Sequence, residues 1–73
     1  MNGIIKMDYA WVVDEDDDKV LEVHMWLMEK GSDKWADLGT SHYLTKERLL
    51  ENLRTIRSRG WEVLVPYEIV YIG

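Results

Sequence analysis

Asp14, Glu15, Asp16, Asp17 and Asp18 stand side by side, the densest run of ionisable groups in the chain. Asp14, Asp16 and Asp18 alternate as the first ligands of a helix-flanked calcium loop do. Such a loop also needs glycine at its sixth position and glutamate at its twelfth, which here are Lys19 and Met25. No helical pattern flanks the run. Adjacent like charges repel and resist burial, so a solvated turn is expected, with no metal assigned. A knob of carboxylates also suits a basic groove on a partner, where it speeds encounter more than it adds affinity.

The other reactive side chains are scattered. His24 and His42 are the right type for metal ligands or general bases, but no HExxH or Cys/His spacing accompanies them. Ser32, Ser41 and Ser58 lie in no GxSxG context, and the isolated glycines build no phosphate-cradling loop. Arg48, Arg54, Arg57 and Arg59 share one segment with Glu47 and Glu51, and helical spacing spreads them over a solvated side. The pattern therefore assigns no catalytic residue and no cofactor, and the chain is expected to be non-enzymatic.

Composition narrows the class further. Seventy-three residues without cysteine make one domain, 1–73, that must hold together by packing alone. A chain of this size buries only about 60% of its unfolded surface, so self-association would help it. Four Trp and four Tyr with no Phe mean that every six-membered ring carries a polar handle, which suits half-buried and interface positions. The net charge is −5, and residues 1–44 hold ten acids against four lysines. That balance argues against direct nucleic-acid binding and against anionic membranes. No apolar run reaches the roughly 18 residues of a membrane span, and no signal-peptide, myristoylation or glycosylation pattern is present, so a cytoplasmic location is expected.

The elements that must carry these groups are legible from periodicity. Ile4 to Val13 alternates as a strand with Ile5, Met7, Tyr9, Trp11 and Val13 on its more apolar face. Lys19 to Lys30 alternates more clearly: Leu21, Val23, Met25 and Leu27 point one way, Glu22, His24, Trp26 and Met28 the other. The short acidic turn makes the two an antiparallel hairpin, in which slips of one residue are excluded. A register two residues along keeps the apolar faces together, as does pairing Trp11 with Leu21 and Tyr9 with Val23. Asp8 then meets His24 as an ordinary surface pair, and Lys6 meets Trp26. Gly31 to Lys34 is a turn, and Trp35 to Tyr43 a third strand that Gly39 weakens or bulges. Leu49, Leu50, Leu53 and Ile56 form the stripe of the one helix. Thr45 is its N-cap, Leu44 a staple on Leu49, and Gly60 its left-handed stop. Trp61 to Ile72 reads as a last strand interrupted by Pro66, bent or at a sheet edge.

The join from Leu49 through Gly60 and Trp61-Glu62-Val63-Leu64-Val65 resembles the ending of many small bacterial domains that close a helix with glycine, an aromatic, Glu and aliphatics. It is similar in layout to small phage-encoded inhibitors of bacterial RNA polymerase. The resemblance covers about a quarter of the chain and supports the fold.

The expected fold is α+β: a small three- to four-stranded, mainly antiparallel sheet in β-β-β-α-β order, with one helix packed on one face. A helical crossover returns the last strand parallel to the first, with a right-handed connection. One helix cannot cover both faces. Val20, Trp26 and Met28, with Ile4, Ala10 and Val12, are left on the far side, and uncovered Trp and Met mark a contact surface. The expectation is a protein-binding module using Asp14, Glu15, Asp16, Asp17, Asp18, His24, Trp26 and Met28 to dock on a partner with a basic surface. Its small size and acidity suit an inhibitor encoded by a virus or mobile element that occupies a nucleic-acid-binding site. The alternative is a homo-oligomeric building block, in the simplest case a homodimer, burying its apolar sheet face against itself.

Overall fold

The computed structural model describes residues 2–66 and 69. Strands β1 (Gly3–Val13), β2 (Lys19–Glu29) and β3 (Ala36–Tyr43) form a meander, followed by helix α1 (Lys46–Ser58) and strand β4 (Trp61–Leu64). The sheet order is β3-β2-β1-β4. The first three strands pair antiparallel and β4 lies parallel to β1, so α1 carries the chain across the sheet from one edge to the other. This is the expected mainly antiparallel α+β fold.

The hairpin register follows from burial. Trp11 meets Leu21, Tyr9 meets Val23, Asp8 meets His24 and Lys6 meets Trp26. A slip of one residue would turn Leu21 and Val23 to the open side and Glu22 inward. Ile5, Met7, Leu21, Val23 and Met25 instead face Leu49 and Leu53 of α1, with Val63 and Ile69 closing the core. Leu21, Val23, Leu49, Leu53 and Ile69 are almost wholly removed from water, each contributing about 1.5–3 kcal/mol.

Local chemistry sets the ends of the elements. The Thr45 hydroxyl accepts the Arg48 amide at 3.2 Å as the N-cap. Gly60 takes φ +97° just after the C-cap Arg59. Leu44, however, is 66% exposed, too open to staple Leu49. The last strand is shorter than the sequence suggests. It stops at Leu64, two residues before Pro66, and β4 is an edge strand. Ile69 turns back so that its amide donates to the Pro66 carbonyl at 3.1 Å. The rest of the expected strand to Ile72 lies outside the described residues.

Asn2 and Gly3 lock the N-terminal end of the sheet. The Asn2 amide donates to the Gly60 carbonyl at 2.7 Å, its carbonyl accepts from the Lys30 amide at 2.8 Å, and its side-chain amide donates to the Arg59 carbonyl at 2.7 Å. Gly3 sits between Glu29 and Trp61, where a Cβ would fall 2.2 Å from the Met28 carbonyl oxygen. Among the described residues no helix is long and apolar enough to cross a membrane.

Candidate functional site

The helix covers the odd-numbered side of β1 and β2. The even-numbered side has no element laid over it among the described residues. Strand pairing puts Ile4, Lys6, Asp8, Ala10 and Val12 of β1 on this side with Val20, Glu22, His24, Trp26 and Met28 of β2, and Glu62 and Leu64 of β4. Val20, expected to be open, is 4% exposed. It pairs with Val12 and lies in a hollow shared with Asp14, Tyr43 and Leu44. Trp26 and Met28 are half-buried.

The side chains of this face form a linked row. The Lys6 ammonium sits 4.2 Å from the Trp35 ring centroid and 5.5 Å from that of Trp26. The His24 ring stacks on Trp26 with centroids 4.3 Å apart and planes 22° from parallel. His24 Nε2 lies 2.7 Å from Asp37 Oδ1, and Nδ1 lies 3.1 Å from Thr40 Oγ1. Farther along, His42 Nε2 and Glu22 Oε2 are 3.4 Å apart. His24 and Asp8 share the expected register, but the ring turns to β3. The expected His24–Asp8 pair is replaced by His24–Asp37.

A bulge produces this arrangement. Met25 pairs with Gly39 and Trp26 with Asp37, so Leu38 is passed over. Gly39 provides φ +84°, and its amide donates to Asp37 Oδ1 at 2.6 Å. The extra residue reverses side-chain parity along β3. Thr40 and His42 reach the open face after the bulge, and Asp37 reaches it before. Asp37, Thr40 and Trp35 therefore join the site although alternation alone assigns none of them to it, whereas Lys6 stands against Trp26 as the hairpin register predicts. Gly39 was the one signal, and it marked a bulge without giving its phase.

The Gly39 amide, more than His24, holds the Asp37 carboxyl below the usual carboxylate range, against a smaller opposing effect of desolvation. An ionised Asp37 requires a proton on His24 Nε2. Thr40 can then donate to a bare Nδ1 or accept from a protonated one, so the imidazole keeps both contacts in either charge state.

No protein-family model matches this chain, and no similar protein was found among curated proteins or solved structures.

The acidic turn stands at the end of the hairpin. Asp14 Oδ1 accepts the amides of Asp16 and Asp18, both at 2.9 Å, and Asp17 sits at φ +60°. Oxygens of Asp14, Asp16 and Asp18 come within 4.8 Å of one another, and none of the three side chains is buried. Met28 lies ten positions along β2 from Asp18, about 33 Å at strand spacing. The expected docking residues thus do not form one compact patch. The acidic turn occupies one end of a molecule 42 Å long, His24 and Trp26 the middle, and Met28 the other end.

Proposed function

We propose that the chain is a non-enzymatic module that docks on a basic surface of another protein through its open sheet face. Trp26 is the central contact and the acidic turn steers the approach. One observation carries this reading: a sheet face without cover among the described residues presents a half-buried indole between Lys6 and His24. Asp37 pairs beside it, and the same face carries Asp8, Glu22 and Glu62, against Lys6 as the one Lys or Arg among the described paired residues of that face. Trp is among the residues most enriched at interface centres, and carboxylates on the same face select a cationic partner. Both nitrogens of His24 are engaged within the molecule, which fits a positioning role better than that of a base awaiting substrate. Where the partner's basic surface is one that holds nucleic acid, the module is an inhibitor by occupancy.

The homodimer reading uses the same face. It would set four carboxylates of one copy against four of the other, and that repulsion places it second.

The test is affinity capture with three baits: wild type, Trp26→Ala, and the triple variant Asp16→Asn, Asp17→Asn, Asp18→Asn. A protein held by wild type is expected to be lost with Trp26→Ala and to bind more slowly to the triple variant at low salt. The same captured set on all three folded baits would refute the proposal.

A further inference from the structure

The surface that goes beyond the sheet-face reading is an edge. β3 ends the sheet on one side, and every residue from Ala36 to His42 is exposed. Among the described residues its backbone is paired only with β2. An unpaired strand edge is a template for another strand, and proteins commonly blunt it with a bulge. Here the bulge at Leu38 and Gly39 disturbs only the first half. From Thr40 to Tyr43 the register against His24, Val23, Glu22 and Leu21 is regular.

That regular stretch is flanked by two hollows. An open groove of about 680 Å³ separates it from α1, with Ser41, Tyr43 and Leu44 on the strand side and Arg48, Glu51 and Asn52 on the helix side. Asn52 Nδ2 donates to the Tyr43 hydroxyl across it at 3.0 Å. A second hollow, about 420 Å³, brings Asp14, Glu15 and Asp16 to the same strand end. Leu44 lies in both and is the exposed apolar contact between them.

We infer that Thr40–Tyr43 accepts an extended basic segment of a partner protein as a fifth strand. Backbone hydrogen bonds to the free edge hold it, and its alternate side chains fall on the two sides of the sheet. Those on the helix side meet Tyr43 and Leu44, which favours apolar residues. Those on the open side fall beside Thr40 and His42, with Glu22 behind His42 on β2 and the carboxylates of the acidic turn at the strand end, which favours Lys or Arg. The preferred segment alternates basic and apolar. The charge at this end fits that choice, since Asp14, Glu15, Asp16 and Glu51 line the two hollows against Arg48.

The test is a titration of the isotopically labelled chain with Ac-KVKVKV-NH2, followed by amide shifts. Saturable shifts are expected at Thr40–Leu44 and along the facing side of α1. A peptide methylated on alternate backbone nitrogens should bind at least about tenfold more weakly, because it keeps the charge and loses the ladder. Leu44→Lys, a change at an exposed site, should also weaken binding, and Ac-EVEVEV-NH2 should not bind. Equal binding of the methylated peptide would overturn strand addition. Shifts centred on the Trp26 indole with a silent β3 edge, or no saturable binding, would overturn the site. Trp26→Ala should leave this titration unchanged, which separates its outcome from that of the face-docking proposal.

Discussion

The carboxylate oxygen of Asp37 that meets His24 Nε2 at 2.7 Å is the same oxygen that accepts the Gly39 amide at 2.6 Å. One atom therefore holds both the bulge and the imidazole. The bulge fixes the parity of β3, and the imidazole fixes one face of Trp26.

The pH dependence of stability follows from that atom. The carboxyl of Asp37 is held below its ordinary value, so the folded state prefers it ionised. Its contribution is present above the unfolded pKa of about 3.9 and is lost as pH falls through the lower folded value. Asp37→Asn should lower stability at neutral pH and show a shallower acid decline than wild type. Urea titrations from about pH 6 down to pH 3 check this. Parallel curves for the two proteins would refute it.

Gly3 tests the close packing of β1, β2 and β4. A methyl group there meets the Met28 carbonyl oxygen at 2.2 Å and the Trp61 ring at 2.9 Å. Gly3→Ala is expected to cost about 1–3 kcal/mol as an overpacked site. Each kcal/mol lowers the melting temperature of a domain this size by about 4–8 °C. Gly31→Ala meets nothing within 4 Å but keeps a φ of +88°, so it separates backbone strain from collision.

Leu53 and Trp26 should separate core from surface. Leu53 is fully buried under the sheet, and Leu53→Ala is expected to cost about 2–5 kcal/mol. Trp26→Ala loses a stacked ring and a cation–π contact at a half-exposed site, about 1–2 kcal/mol together. Chemical denaturation of both variants checks the order. A larger loss at Trp26 would mean that the indole serves the fold more than the surface.

Asp17 tests the acidic turn. It holds a left-handed φ of +60° amid like charges. Asp17→Gly should stabilise by a few tenths of a kcal/mol up to about 1, since glycine adopts that conformation freely and one repelling charge is gone. Thermal melts at low and high salt divide the gain into its two parts, because only the electrostatic one shrinks with salt.

Alternation made the faces of the β1–β2 hairpin readable, because each strand has one wet and one dry side. A slip of one residue buries Glu22, while a shift of two keeps the faces and is excluded only by the structure. The helix stripe and its caps were equally readable, since Thr45 and Gly60 act through their own backbone geometry. Asp37 was not. Its parity depends on a single residue passed over at Leu38, and no local pattern gives the phase of a bulge on a strand exposed along nearly all its length. Trp35 stayed hidden for the same reason, as its position on Lys6 follows from how β3 enters the sheet. Leu44 precedes a cap as a staple does, yet it is left exposed.

The Asn2 side chain reaches the Arg59 carbonyl across 57 positions of sequence. Closing a loop of that length costs roughly 3–4 kcal/mol from its logarithmic term alone. The meander needs only short closures, so this seam is expected to zip last during folding and to open first during local unfolding. Amide exchange should accordingly run faster along the β1–β4 join than along the β1–β2 ladder, leaving a three-stranded intermediate in which the hairpin keeps its pairing.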